Sequence, residues 1–285
     1  MNPKQLKKLK KQVKHARQVI TKAPYIEQLE HYAKLFDQVP PVKYLINLVL
    51  ANDHLIKQGL LPQPVPQMML PDDIQDTIFQ LVNAQYAPGD PAGDRLWDQY
   101  TTALPKVDKL LREYRDYLET TYGMWSYPNT KFITELSHYL HGAPVLEIMA
   151  GSGYLSKGLR SLNPTQTIIA TDDLSWAQVN TTGKQPVTTI ENYDALAAIN
   201  QFANQVEYVI MSWAPDRETI DLAVLNLLRQ SYPTLKFLVI GEYQGATNSQ
   251  AFWQTAKLSQ PAALQPVNAA LHSFDLIDEQ IYLAE

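Results

Sequence analysis

The chain has 285 residues, of which 45% are hydrophobic, and a net charge of −5. It can bury a substantial core and has room for one large or two small domains. The absence of cysteine excludes disulfides, cysteine-based metal sites and a thiol nucleophile. The six histidines show no metal-ligand spacing, so no metal site is predicted. Since no apolar run is long enough to cross a bilayer and no targeting segment is evident, we predict a cytoplasmic protein without membrane association.

Positions 1–22 carry eight basic residues and no acid, which leaves a net charge of −13 on the remainder. Five apolar residues of this segment recur at spacings of three and four: Leu6, Leu9, Val13, Ala16 and Ile20. The pattern predicts a basic amphipathic helix. The helix either contacts an anionic partner such as RNA, or docks its apolar face on its own domain or on a second copy in a homo-oligomer. The acidic remainder and the lack of interleaved aromatic residues favour docking.

Residues 1–125 are predicted to form an α-helical region. Helices are predicted over Tyr25–Gln38, Pro41–Gly59, residues 72–86 and Arg95–Thr121. The last of these is predicted to break at Pro105. The intervening segment Leu60–Pro71 has four prolines in twelve residues and is predicted to be extended.

Residues 126–285 are predicted to form an α/β domain. Helical patterns cover residues 130–140, Leu155–Leu162, Tyr193–Phe202 and Thr219–Gln230. Short apolar runs alternate with them at residues 144–149, 167–171, 206–212 and 236–241. The final segment, 274–285, alternates apolar and polar residues like an edge strand. Strands alternating with helices predict a doubly wound, mostly parallel sheet.

The first predicted strand runs into a glycine-rich turn and a helix, in the stretch VLEIMAGSGYLSKGL at residues 145–159. Gly151 and Gly153 allow the backbone to approach a ligand closely, and the helix that follows offers free N–H groups. Ser156 replaces the third glycine of the dinucleotide fingerprint, which argues against a tightly bound pyrophosphate. The turn therefore predicts a ligand site that differs from a dinucleotide site.

Two acids accompany this turn. Glu147 lies inside the strand, where a carboxylate must be paired or bind a ligand. Asp172 ends the second strand, 19 residues after Gly153, close to the offset at which an acid binds ribose hydroxyls. The turn and the acid together predict an adenosine-containing ligand.

The pattern E-x-x-x-G-x-G, formed by Glu147, Gly151 and Gly153, resembles motif I of the class I S-adenosylmethionine-dependent methyltransferases. The resemblance covers residues 125–285 and implies a Rossmann-like methyltransferase fold with S-adenosylmethionine as cofactor. It implies that the glycine turn, including Met149 and Ala150, faces the methionine moiety and that Asp172 binds the ribose. The stretch ENYDALAA resembles the motif whose acid binds the adenine amino group, which implies adenine contacts for Asp194 and Ala195.

Four further stretches, WSYP, VLEIMAGSGYLS, MSWAP and VIGEYQGATNSQAFW, resemble an uncharacterised bacterial and eukaryotic group of methyltransferase-like proteins. This resemblance implies that Tyr127 lies at the edge of the cofactor. It also implies that Ser212, Trp213 and Glu242 surround the reacting groups. Two interpretations of Glu242 stay open: it is a general base or an anchor for a substrate amine, or it holds its own loop through backbone N–H groups, which is favoured. The chain departs from the patterns at Met149, where methyltransferases often have glycine, and at Ala214, where the group has proline.

We therefore predict an S-adenosylmethionine-dependent methyltransferase of unknown acceptor. One alternative is a methyltransferase-like binding protein without turnover, which uses the basic amino-terminal helix for a partner or RNA; Met149 and Ala214 favour it. The other is a nicotinamide-dependent oxidoreductase, against which Ser156 and Glu147 argue.

Overall fold

The computed structural model describes residues 24–175, 185–271 and 273–285. The predicted basic helix at positions 1–22, with its partner or oligomer contact, lies outside the described residues. The chain divides into two compact units. One comprises the described residues up to Leu50 together with Leu70–Leu110, and the other comprises Ala51–Met69 and Leu111–Glu285. The predicted division into domains at residues 125 and 126 stays a prediction.

The first unit is helical. Its helices are α1 (Tyr25–Leu35), α2 (Pro40–Lys57), α3 (Ile74–Gln85) and α4 (Pro91–Arg112), of which α2 and α4 run on beyond the unit. Apolar residues at helical spacing form its interior, where Phe36 stacks on Tyr100 with ring centroids 5.2 Å apart. The four predicted helices are confirmed, and the proline-rich segment 60–71 contains no helix.

The predicted break at Pro105 is wrong. Helix α4 continues through Pro105, and the chain breaks instead at Glu113, before α5 (Tyr114–Tyr122). A proline inside a helix costs one backbone hydrogen bond. Leu104 and Val107, on either side of the proline, are buried, and we attribute the continuity of the helix to this burial.

The second unit contains a sheet that has seven strands in the described residues. They are β1 (Val145–Ile148), β2 (Ile168–Asp172), β3 (Glu191–Asn192), β4 (Tyr208–Ser212), β5 (Lys236–Glu242), β6 (Leu258–Ser259) and β7 (Glu279–Ala284). The spatial order is β3-β2-β1-β4-β5-β7-β6, in which the first five strands are parallel and β7 is antiparallel to both neighbours. The helices after α5 are α6 (Thr130–Leu140), α7 (Tyr154–Leu162), α8 (Ala195–Phe202), α9 (Ile220–Ser231), α10 (Gln250–Thr255) and α11 (Gln265–Ala270).

The predicted edge strand at residues 274–285 is not at the edge. β7 pairs with β5 on one side and with β6 on the other, and only residues 279–284 are extended. β6 forms the edge, but it has two residues, as does β3 at the opposite edge. Two residues are too few to produce an alternating pattern, so the sequence predicts neither strand.

Helices cover both faces of the sheet. Leu146 and Met211 belong to a buried cluster with α8, α9 and α10, whereas their neighbours Val145 and Ile210 belong to a cluster with α6, α7 and α11. Successive strand residues point to opposite faces, so both faces need apolar side chains. The predicted doubly wound, mostly parallel α/β fold is confirmed. No helix within the described ranges has both the length and the apolar character of a bilayer span.

Candidate ligand-binding site

A cleft lies where the strand order reverses. β2 and β3 follow β1 on one side, whereas β4 and β5 continue on the other. The connections after β1 and β4 diverge at such a point and leave a crevice beyond the carboxyl ends of the strands. The cleft is lined by residues within 123–128, 147–155 and 212–213.

The turn after β1 has a left-handed backbone. Met149, Gly151 and Gly153 have φ angles of 53°, 55° and 81°. Glycine adopts this conformation freely, but Met149 does so at a cost of roughly 1–2 kcal/mol. Met149 thus takes a glycine-like conformation at the position where the motif often has glycine. Backbone strain of this kind is concentrated at functional sites.

Gly151 and Gly153 have different surroundings. A Cβ atom built on Gly151 would have no other heavy atom within 4 Å, so the space beside this residue is open. A Cβ atom on Gly153 would lie 2.9 Å from Cγ2 of Thr188 and 3.0 Å from Cδ1 of Ile190. Gly151 therefore leaves room for a ligand, whereas Gly153 is needed for packing within the protein.

Asp172, at the end of β2, is bonded to the same turn. Its Oδ2 atom accepts a hydrogen bond from the N–H of Gly151 at 2.8 Å, and Oδ1 accepts one from Leu174 at 2.7 Å. The neighbouring Asp173 is exposed and accepts from the N–H of Ser175 at 2.9 Å. Asp172 therefore joins the end of β2 to the glycine turn; its contact with a ribose stays a prediction.

Glu147 lines the cleft from inside β1 and is directed at α7. Its Oε2 atom accepts a hydrogen bond from the N–H of Ser156 at 3.0 Å and another from the Ser156 hydroxyl. Burial raises the pKa of Glu147 to about 7, because it outweighs the two Ser156 donors that lower the pKa. Ser156, which replaces the third glycine of the fingerprint, thus serves as the partner of this acid.

Three serine hydroxyls that line the cleft have no hydrogen-bond partner among the described residues: those of Ser126, Ser152 and Ser212. The side chain of Ser152, between the two glycines, is almost completely buried. A buried hydroxyl without a partner costs about 1–3 kcal/mol, which a ligand atom would recover by bonding to it. With the open space beside Gly151, these hydroxyls fit a small ligand that carries several polar atoms.

Trp213 forms the β4 side of the cleft. Its φ angle is 57°, its backbone N–H donates to the carbonyl oxygen of Ile240 at 2.9 Å, and its indole N–H donates to the carboxylate of Glu279. Glu279 also accepts from Arg115 at 3.0 Å. The sequence motifs include neither Arg115 nor Glu279. One signal was available, because Glu279 shares a face of β7 with the buried Ile281, an uncommon place for an acid.

The structure brings together most of the residues predicted for the site. Those that line the cleft are Glu147, Met149, Ala150, Gly151, Gly153, Ser212 and Trp213. Asp172 contacts the turn without lining the cleft. Tyr127 is buried next to the lining residues Ser126 and Pro128; its hydroxyl donates to the carbonyl of Gln63 at 2.8 Å. The binding and catalytic roles of all these residues stay predictions.

Besides Asp172 and Tyr127, three more predicted residues lie outside the cleft lining. Asp194 caps α8, because Oδ1 accepts from the N–H groups of Leu196 and Ala197, at 3.0 and 2.9 Å. Ala195 is buried in the core beside the sheet. Glu242 holds its own loop: its carboxylate accepts from the N–H of Ala246 at 2.6 Å and of Asp278 at 3.1 Å. That arrangement favours the second of the two interpretations given for Glu242.

No protein-family model matches the chain, and no curated protein matches it. Among solved structures, the plantazolicin methyltransferase BpumL in complex with SAH is similar, with 15% identity and a TM-score of 0.25; the match covers 58% of this chain and 61% of BpumL. An O-methyltransferase (NcsB1) from neocarzinostatin biosynthesis, in complex with S-adenosyl-L-homocysteine and 1,4-dihydroxy-2-naphthoic acid, has 13% identity and a TM-score of 0.27, over 94% of this chain and 97% of NcsB1. These neighbours are methyltransferases with S-adenosylhomocysteine bound. At such low scores, the likeness assigns no function to this chain.

Proposed function

We propose that the chain is an S-adenosylmethionine-dependent methyltransferase whose acceptor is unknown. The proposal rests on one observation, the hydrogen bond between Asp172 and the glycine turn. Asp172 ends β2 and accepts from the N–H of Gly151, and Gly151 itself faces open space at the cleft. An acid at a strand end beside a glycine turn, at the switch point of a parallel sheet, is suited to a ribose next to the turn.

The proposal assigns parts of the ligand to the predicted cofactor-binding residues other than Glu147, whose carboxylate is paired with Ser156. The methionine part would contact Met149, Ala150, Gly151 and Gly153. The ribose would contact Asp172, and Tyr127 would lie at the edge of the cofactor. The adenine is proposed to approach the start of α8 at Asp194, since Ala195 itself is buried in the core. Three further hydroxyl groups, on Ser126, Ser152 and Ser212, are available to the ligand's polar atoms. All of these residues lie within the predicted domain 126–285.

S-adenosylmethionine supplies a methyl group that is already activated on a sulfonium. The chain's own residues then have to align the acceptor and exclude water, and an acid–base pair is not required. Ser212 and Trp213, at the carboxyl end of β4, are proposed to face the acceptor. Glu242 is proposed to hold its loop, since its carboxylate is engaged by two backbone N–H groups.

Replacing Asp172 with alanine is expected to lower the affinity for S-adenosylhomocysteine at least about fivefold. Loss of a charged hydrogen bond to the ribose costs on the order of 1–3 kcal/mol. The substitution also removes the acceptor for the N–H of Gly151, so the turn is held less firmly. Isothermal titration of the wild-type and variant chains with S-adenosylmethionine and S-adenosylhomocysteine measures the effect.

Asp173→Ala is the matched control. Asp173 is the adjacent acid, is exposed, and accepts from Ser175 without contacting the turn, so its loss should leave the affinity unchanged. NAD serves as the comparison ligand. Absence of binding of both S-adenosyl ligands to a folded wild-type chain would refute the proposed function. Binding of NAD instead would favour an oxidoreductase.

The basic segment at positions 1–22 is proposed to dock on its own domain or on a second copy, or to serve an anionic partner, rather than to bind the cofactor. A chain that lacks residues 1–20 is therefore expected to bind S-adenosylhomocysteine with unchanged affinity, because all proposed cofactor contacts lie beyond residue 125. Titration of the truncated chain tests this, with circular dichroism as the check on folding. A truncated chain that fails to fold would show that the segment belongs to the core.

A further inference from the structure

Arg115, on α5, is the centre of a buried polar cluster. The residue is 6% exposed, and its side chain donates to three groups: the carbonyl oxygen of Trp125 at 2.7 Å, the carboxylate of Glu279 at 3.0 Å, and the carboxylate of Asp275. The guanidinium carbon also lies 4.5 Å from the centroid of the Trp213 ring. At that distance a cation is attracted to the face of an indole.

The two tryptophans that Arg115 contacts both line the cleft. Trp125 belongs to the segment before α6, and Trp213 directly follows β4, so one guanidinium joins two separate parts of the cleft wall. Trp213 has a left-handed backbone, which is unfavourable for a bulky residue. Its orientation must therefore be imposed by its contacts. These are the guanidinium on its ring face and Glu279 at its indole N–H.

The charged groups of the cluster shift one another's pKa values. Burial lowers the pKa of Arg115, but the carboxylates of Glu279 and Asp275 raise it by more than burial lowers it. The pKa of Arg115 therefore lies above its ordinary value. Burial raises the pKa of Glu279, and Arg115 opposes this. Removing one member of such a pair leaves the other charge buried and unpaired. Burying such a cluster of charges costs free energy. We therefore expect it to serve by fixing the geometry of the side chains it contacts.

We propose that Arg115 and Glu279 are positioning residues that hold Trp213 in the orientation in which it forms the cleft wall. Neither residue lines the cleft, so neither is placed against reacting atoms. They act through the ring face and the indole N–H of Trp213. Their effect on ligand affinity rests on the proposed function, whereas the fixed orientation of Trp213 does not.

The indole N–H signals of the ¹⁵N-labelled protein test the proposal directly. The chain has five tryptophans, and comparison with Trp213→Phe assigns the signal of Trp213. Arg115→Lys keeps the charge but lacks the planar fork that reaches Trp125 and both carboxylates. Glu279→Gln keeps an oxygen acceptor for the indole but loses the charge. The Trp213 signal is expected to shift in both variants, and the affinity for S-adenosylhomocysteine is expected to fall about tenfold.

Arg229→Lys is the matched control. Arg229, on α9, also donates to backbone carbonyl groups, those of Thr255 and Glu285, and none of these residues lines the cleft. This variant should leave both the Trp213 signal and the affinity unchanged. Because two different variants are tested, the proposal can still be decided if one of them fails to fold.

A Trp213 signal that is unmoved in folded Arg115→Lys and Glu279→Gln would overturn the proposal. A shifted signal with wild-type affinity would support the positioning of Trp213 and show that its orientation does not act on the cofactor. If the wild-type chain binds no S-adenosylhomocysteine, the proposed function fails. A shifted Trp213 signal in that case still supports the positioning role of Arg115 and Glu279.

Discussion

Replacing Gly153 with alanine is expected to lower the free energy of unfolding by about 3 kcal/mol, whereas Gly151→Ala should cost about 1 kcal/mol. Both glycines have a left-handed backbone, so both substitutions incur conformational strain. Only at position 153 would the new methyl group also collide, with Thr188 and Ile190. Thr188 cannot move away freely, because its hydroxyl accepts a hydrogen bond from Arg160 at 2.8 Å.

The same pair of variants separates folding from binding. Gly151 lines the cleft, and a methyl group there would occupy open space that the proposed cofactor needs. Gly151→Ala should therefore weaken binding of S-adenosylhomocysteine tenfold or more in a chain that still folds. Denaturant unfolding and isothermal titration of both variants measure the two effects. Equal stability of the two variants would contradict the packing role of Gly153, and wild-type affinity of Gly151→Ala would remove Gly151 from the ligand site.

Glu147→Gln is expected to remove a pH dependence of stability that Glu147 creates. Burial raises the pKa of this carboxyl to about 7 in the folded chain, against an ordinary value of 4.5. Between these two values the folded chain binds more protons than the unfolded chain. The contribution of Glu147 to stability is therefore fully present at the acid end of this range and is lost as the pH rises through 7. The loss amounts to about 3 kcal/mol from about pH 4 to pH 8.

The measurement is the difference between the free energies of unfolding of Glu147→Gln and of wild type, taken at several pH values. This difference is needed because burial also raises the pKa of Glu119 to about 7, and Glu119 contributes the same trend to both chains. Glutamine keeps an oxygen that can accept from Ser156, but it does not titrate. The free energy of unfolding of the variant should therefore increase relative to that of wild type as the pH rises. A difference that stays constant with pH would show that Glu147 titrates with the same pKa in the folded and the unfolded chain.

The sequence anticipated those parts of the site that depend on neighbouring residues. A glycine turn between a buried strand and a helix has few alternatives, because Gly151 and Gly153 take a backbone conformation that other residues resist. The strand-end acid was also predictable, since the alternation of strands and helices brings Asp172 to the same edge of the sheet as the turn. Local patterns failed at Pro105, where burial of Leu104 and Val107 outweighed the proline's preference.

The sequence by itself determined the alternation of strands and helices, the doubly wound class and the turn beside the cleft, because periodicity and backbone preference act over a few residues. Only the tertiary structure decided which polar groups pair inside the second unit. Arg115 and Glu279 are separated by 164 positions and share no motif, yet they meet at Trp213. Ser156 is paired with Glu147 in the same way, across the turn between β1 and α7. A buried charge takes whichever partner the packed chain brings within reach, and sequence spacing alone does not report that distance.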